Sequence, residues 1–358
     1  MQYRSRAEIQ PLERRQLLSA PTTPRASTLD WFDRGERAEL LARMTHAPSG
    51  TRNTLTTQLG SPSNTNMTGF DNALLGYIQS RTNAQFFFDD AQTASLASFI
   101  NSNLDVTGIT GPASAMTDSR AFPTNSGGTV TLAGNVNFRN PGVPGVSEFL
   151  DDLNRHAFWI GLSQSFRFTG QTKYLEEIRY QLADWSDEFR SMDLPAEWGT
   201  NGLLTWQFTS SLRADNWTWA YFTLVGGSGF TGADNTLFVY KLMQHADWLY
   251  QQSLNASVEA TVDSNRTLVL AKALHQLGTM FPEFDNAPLW LARGRELLFQ
   301  TARAQIYPDG SHIEQSPGYQ LAVIDDLLEA RQLDVLNGRT SAWPGDMIPL
   351  GRASMEFY

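Results

Sequence analysis

Cysteine is absent from this sequence of 358 residues, which rules out disulfides, thiolate catalysis and cysteine-ligated zinc and leaves the redox compartment open. No run of 18 apolar residues occurs, so no segment has the length and apolarity of a membrane-spanning helix. A basic surplus is lacking too, since 27 Lys and Arg stand against 37 Asp and Glu for a net charge of −10. That disfavours a nucleic-acid partner, because no excess of cations is available to meet phosphates. A polyanionic ligand stays open, as a local arginine cluster can outweigh a distant negative surface. The five histidines (His46, His156, His245, His275, His312) form no HxxxH or HExxH pair. No metal site on a helix is therefore expected, and no cofactor is implied.

What remains is an ordinary globular composition, 41% hydrophobic and 18% charged. The length suits one large domain or two small ones with an ample core. Ten tryptophans, ten tyrosines and 21 phenylalanines supply platforms on which sugar rings stack, although most aromatics serve as core.

Residues 1–30 read as a leader, basic and polar at the start and without a secretory apolar stretch. Within it PLERRQLLSA, Pro11 to Ala20, resembles the LEPRxLL motif at the N-termini of exported bacterial proteins. That resemblance implies a secreted, periplasmic or cell-surface location; the composition equally allows a disordered tail. Residues 31–45 read as a short helix with Leu40, Leu41 and Met44 on one side, 47–68 as a polar loop or linker, and 84–140 as mixed chain. A small hairpin is expected over 128–138. From residue 146 onward apolar residues recur at helical spacing. Helices are expected at 147–168, 171–189, 203–225, 233–254, 265–280, 286–304 and 319–336. The connections are short and no regular repeat is present, so the expected fold is mainly all-α, an incomplete (α/α) toroid of antiparallel helical hairpins. The domain reading is a leader over 1–30, an N-terminal helical and irregular segment over 31–130 that packs on the toroid, and the toroid over 131–358.

Four constellations could carry chemistry. The stretch Gln305 to Gln320, QIYPDGSHIEQSPGYQ, has a Pro-Asp-Gly turn and then a segment expected to be extended. It delivers Glu314, Ser316 and Tyr319 ahead of a helix. A phenol presented there can act as general acid or base, or else Tyr319 is a core aromatic with a bonded hydroxyl. Asp263-Ser264-Asn265-Arg266 opens another helix. A helix N-terminus attracts anions, and Asn265 with Arg266 adds an amide and a guanidinium suited to a carboxylate. The plain alternative is a well-capped helix. Trp206, Arg213 and Trp217 share one helix face, either as a sugar subsite beside an anionic group or as a packing face with a snorkelling arginine. His156, on an aromatic helix, and His312, close to the turn, are candidates for substrate contact or for hydrogen-bonded core positions.

In order along the chain, NVNF (Asn135 to Phe138), LNRHAFW (Leu153 to Trp159), FTGQTKYLEEI (Phe168 to Ile178), SLRADNW (Ser211 to Trp217), SNRTLVLAKALHQLGTMFPEF (Ser264 to Phe284) and the Gln305 to Gln320 stretch resemble the helical domain of the heparinase II/III-type polysaccharide lyases. The resemblance covers about residues 130 to 336. It implies cleavage of an acidic, uronate-containing polysaccharide, heparan sulfate-like or alginate-like, by β-elimination. On that reading Asn265 and Arg266 neutralise the substrate carboxylate and Tyr319 moves the proton. Arg213, Trp206 and Trp217 line subsites, and Glu314 orients Tyr319 or Arg266. Gln320, His156 and His312 complete the substrate-binding set.

This chain departs from the family in having Arg266 and Gln320 where histidine is common. Arginine holds a carboxylate but is a poor base, and glutamine cannot titrate. Family members continue into a β-sheet domain. The final segment, Asp346 to Tyr358, reads as the first turns of a further toroid helix, so the expectation is a fragment of a longer protein. Two other functions stay in view: a non-catalytic glycan-binding protein that keeps the groove, and a glycoside hydrolase, for which Glu283 and Glu314 would be the carboxylate pair.

Overall fold

The computed structural model describes residues 29–124, 127–132, 136–142, 148–193, 203–259 and 261–357. The export-like motif of the leader lies outside the described residues. Helices dominate, and they come in hairpins. A broken first helix, α6 (Phe149–Arg155) and α7 (Phe158–Thr169), turns back as α8 (Thr172–Glu188). Next come α9 (Leu203–Leu224) with α10 (Gly232–Ser253), then the short α11 (Ala256–Glu259), then α12 (Asn265–Met280) with α13 (Ala287–Gln305). Last are α14 (Pro317–Leu336) and α15 (Met347–Phe357). Apart from the short α11, which was not expected, the spacing of apolar residues fixed these elements to within a few residues. The main difference is the break between α6 and α7, where His156 takes a left-handed φ of 54°.

Two layers result. Helices α7, α9, α12 and α14 pack side by side as an inner row, and α8, α10, α13 and α15 pack behind them as an outer row. Because each hairpin reverses direction, the inner helices run parallel, with their N-termini at one end. The α12–α13 pair is the tightest. A Cβ on Gly278 would lie 2.6 Å from the Leu291 nitrogen, and one on Gly294 would lie 2.4 Å from the His275 nitrogen. Only glycine lets the two backbones approach this closely.

Ahead of the hairpins stand α1 (Arg34–Arg43), α2 (Ser49–Leu59), α3 (Thr68–Ser80), α4 (Asp90–Asn103) and α5 (Thr107–Ser119). Helix α2 replaces the expected loop over 47–68: Leu55 and Leu59, one turn apart, are buried while its Ser, Thr and Asn residues face water. Helices α4 and α5 lie within the stretch read as mixed. Asp89 and Gln92 cap α4 reciprocally, and α5 buries Ala113 and Met116. The hairpin is shifted. Strand β1 (Ala121–Pro123) pairs antiparallel with β2 (Thr129–Thr131), Phe122 opposite Val130, so the partner of β2 lies upstream rather than within 128–138.

The segment from Tyr77 to Asp90 crosses the C-terminal ends of all four inner helices. Asp90 pairs with Arg167 of α7. Gln79 donates to the Val225 carbonyl after α9 (2.8 Å), and Arg81 donates to Glu283 after α12 (3.0 Å). Gln85 and Asn337 after α14 exchange two bonds of 2.8 Å. Phe86 stacks on Phe222 and Phe87 on Trp219, with centroids 4.6 and 4.9 Å apart. This end of the lumen is closed by aromatic rings and ion pairs.

Candidate active site

With the far end covered, the N-terminal end of the inner row is the candidate place for a ligand. Ser264 caps α12, its hydroxyl accepting the Arg266 N–H at 3.3 Å. Asn265, the first helical residue, is half-buried, and Arg266 is exposed. Their side chains make no hydrogen bond or ion pair among the described residues. Unsatisfied N–H groups and the positive end of the helix dipole add to their affinity for an anion.

The Tyr319 segment is a turn and not an extended strand. Ile306 and His312 form a single antiparallel bridge around Tyr307–Gly310. Asp309 closes the bend by accepting from the Ser311 N–H and hydroxyl, at 3.0 and 2.7 Å. Gly310, at φ 91°, sits against α15, where a Cβ would lie 2.1 Å from the Ala353 carbonyl oxygen. A second turn, Gln315 N–H to His312 carbonyl at 2.9 Å, leads to Pro317, which opens α14. Tyr319 therefore lies in the first helical turn, 45% exposed. Glu314 is also exposed; its carboxylate makes no bond among the described residues, so the orienting role expected of it has no contact behind it.

Helix registers put Asn265 and Tyr319 at the same end of the neighbouring helices α12 and α14. Lys272 donates to Asp326 at 2.9 Å and pairs with Glu329 at 2.6 Å and with Asp215 of α9 at 3.1 Å. Asn265 precedes Lys272 by seven residues, and Tyr319 precedes Asp326 by seven. Seven residues are two turns, about 10 Å along the axis and almost back to the same face. Asn265 and Tyr319 thus stand at one level, on the faces that meet below them in the Lys272 cluster. Phe208 precedes Asp215 by the same interval, and the Arg155 guanidinium lies over its ring at 5.4 Å.

The Lys272 cluster is the floor of the lumen, and the sequence reading did not single it out. Burial works against the charge on Lys272, but the three carboxylates outweigh it and hold the amine well above its ordinary range. Burial raises Asp326 and Glu329, against the opposite pull of Lys272. The offsets 208, 215 and 265, 272 carried the signal, but only a known helix packing turns them into neighbours.

Six expected substrate contacts need correction. Trp206, Arg213 and Trp217 do share a face, but it points away from the lumen, and all three are fully buried. Arg213 is clamped between the rings of Trp185 and Trp206, at 4.3 and 4.6 Å. It donates to His245 Nε2 (2.9 Å), the Asn154 carbonyl (2.8 Å) and Ser210 (2.9 Å). No carboxylate pairs with it among the described residues, and burial pulls its pKa well down. His156 is stacked on Trp159 at 4.5 Å and accepts the Trp217 indole N–H at 2.8 Å. Burial, then the charge of Arg213, keep it neutral. His312 and Gln320 are buried beside the turn. Gln320 donates to the carbonyls of Gly310 (3.1 Å) and Ser354 (2.8 Å), tying turn, α14 and α15 together. The hydrolase pair fails on distance. Glu283, at the far end of α12, is buried on Arg81 and Tyr77, about 24 Å of helix away from the end that carries Glu314.

A family model described as the heparinase II/III N-terminus matches residues 63–357. A heparin-sulfate lyase of Bacteroides thetaiotaomicron is 26% identical over 227 residues, which covers 63% of this chain and 31% of that protein. One from Pedobacter heparinus is 29% identical over 179 residues, covering 50% and 26%. A crystal structure of heparinase III superposes with a TM-score of 0.69 at 22% identity, over 89% of this chain and 46% of that one. The chain thus spans under a third of the length of these curated relatives and about half of the solved structure. The structural likeness shows the α/α toroid fold.

Proposed function

The chain belongs to the heparinase II/III family, and we propose that it carries part of the active centre of a polysaccharide lyase acting on a uronate-bearing acidic glycan of the heparan sulfate class. What supports the reading is the helix register, which sets Asn265 and Tyr319 each two turns before the Lys272–Asp326 contact, toward the open end of the lumen. In β-elimination the C5 proton passes to a base, electrons shift toward the C6 carboxylate, and the C4–O4 bond breaks as a C4–C5 double bond forms. The developing enolate-like charge needs donors already in place. The Asn265 amide, the start of α12 and Arg266 supply them. Tyr319 gives its phenolic proton to the departing O4, which otherwise leaves as a costly alkoxide. Arg155, which pairs with Asp152 at 3.2 Å and lies over Phe208, takes the place first given to Arg213 and Trp206: a guanidinium and a ring face that an anionic sugar can approach. Below them the two-carboxylate excess of the Lys272 cluster repels a polyanion, so the glycan lies across the mouth and does not thread the lumen. Export to the periplasm or cell surface, where such polymers are met, fits the leader motif.

The test is incubation of the purified protein with heparan sulfate, hyaluronan and alginate while following ultraviolet absorbance of the unsaturated uronate. Absorbance with heparan sulfate is the expected result. Tight glycan binding with no absorbing product on any of them favours the non-catalytic reading and sinks the lyase one.

A further inference from the structure

His312 is only 1% exposed, so it does not touch a glycan, yet both ring nitrogens are used. Nδ1 accepts the Glu314 backbone N–H at 3.2 Å. The ring proton is therefore on Nε2, which faces Gln305 Oε1 at 3.1 Å. Gln305 is the last residue of α13 and is fully buried. The turn that His312 begins leaves Gln315 at φ 50°, in a left-handed region that a non-glycine residue holds only when its surroundings enforce it. Ser316 and Pro317 follow, and Tyr319 after them. The ring also walls a cavity of about 300 Å³ bounded by Ser311, Gln315, Pro317 and Gln320.

We infer that His312 is a positioning residue for Tyr319: its neutral imidazole, donating to Gln305 and accepting from Glu314, pins the turn to the end of α13 and so sets where the first turn of α14 presents the phenol. This rests on the reading of Tyr319 as proton donor. The same bonds make the latch sensitive to acid, because a proton on Nδ1 removes the acceptor of the Glu314 N–H. Burial holds His312 below the ordinary imidazole range, against the opposing charge of Glu314. Glu314 is the charged group acting on the ring. Gln305 from α13 and Gln320 from α14 are neutral, and the nearby Asp309 is bonded to Ser311. At neutral pH the latch is closed; in acid it opens and the tyrosine loses its fixed place.

The test uses the full chain. Five histidines give five ring Cε1–Hε1 resonances, and the one lost in His312→Gln belongs to His312; His312→Asn serves if that variant does not fold. Expected are the Nε2–H tautomer and a midpoint below the ordinary 6.5. Over the same pH range, hydrogen exchange of residues 307–320, corrected for its intrinsic pH dependence, should rise about fivefold, as for loss of one buried hydrogen bond. His312→Gln, whose amide copies both bonds without titrating, should show no step. An Nδ1–H tautomer, or exchange with no step at the ring midpoint, overturns the inference. In a turnover assay, wild-type kcat should fall with the same step at unchanged KM, and His312→Gln should lack the fall. A latch that titrates in a chain without turnover overturns the lyase reading alone; turnover without the step overturns the latch alone.

Discussion

Two residues along α9 separate a buried packing face from a partly exposed one. Trp206 and Arg213 point into the core, while Phe208 and Asp215 face the lumen, a rotation of about 200°. Both sets mix aromatic and charged residues, so composition cannot tell them apart; only the neighbours do. Tyr319 is the contrasting case, exposed and with no hydrogen bond to its hydroxyl among the described residues. Tyr319→Phe should lower kcat by about 10²–10⁴-fold and change unfolding free energy by less than about 0.5 kcal/mol, read by product absorbance and by urea titration. A large stability loss would return Tyr319 to the core. Lys272→Met removes the cation shared by Asp215, Asp326 and Glu329. It should destabilise the fold by about 3 kcal/mol near neutral pH, and less in acid, where the carboxylates take up protons. A urea midpoint equally low at both pH values would contradict this.

Among the elements, the α12–α13 hairpin is set by two glycines. Gly294→Ala places a methyl within 2.4 Å of the His275 nitrogen. Helix propensity alone would favour alanine, but the clash is with backbone and cannot be relieved by a rotamer change. We expect destabilisation of about 1–3 kcal/mol; a variant as stable as the parent would mean that the helices separate freely. From α6 onward the helices were legible because long apolar periodicities and clear stops bound them. Helix α2 was not, since its two buried leucines sit among Ser, Thr and Asn that also suit a loop. Helix α5 contains Pro112, Gly108 and Gly111, a poor helix by propensity that is held by burial of Ala113 and Met116. The Asp89–Gln92 capping box marks the start of α4 in the sequence itself.

Across the whole molecule, polarity decides which end can work. Parallel inner helices gather their N-termini at one mouth, and the Tyr77 to Asp90 segment shuts the other. Behind this frame lies a buried region in which Lys241 donates to the carbonyls of Phe189 (2.6 Å) and Arg190 (3.1 Å) and to Gln244 (2.7 Å), with no carboxylate bonded to it among the described residues. Burial, then the charge of Arg213, lower its pKa from 10.5 to about 7. Between those values the unfolded chain binds more protons than the folded one, so this group makes stability rise with pH across the window, and it is least favourable below pH 7. Urea midpoints from pH 7 to 9.5 should climb more steeply in the wild type than in Lys241→Met. Parallel profiles would show that Lys241 stays charged throughout.

By itself the sequence determined the helical hairpins, their order, the family they resemble, and Asn265 and Tyr319 as the pair to watch. These depend on local periodicity, caps and short motifs, all written along the chain. The tertiary structure alone decided which face of each helix meets the lumen. It sent Arg213, Trp206, Trp217 and His156 inward, made Gln320 and His312 supports of the turn, set Arg155 and Phe208 near the mouth and put the Lys272 cluster on the floor below it. Residues separated by up to about a hundred positions become neighbours there through helix register and packing, which no local pattern encodes.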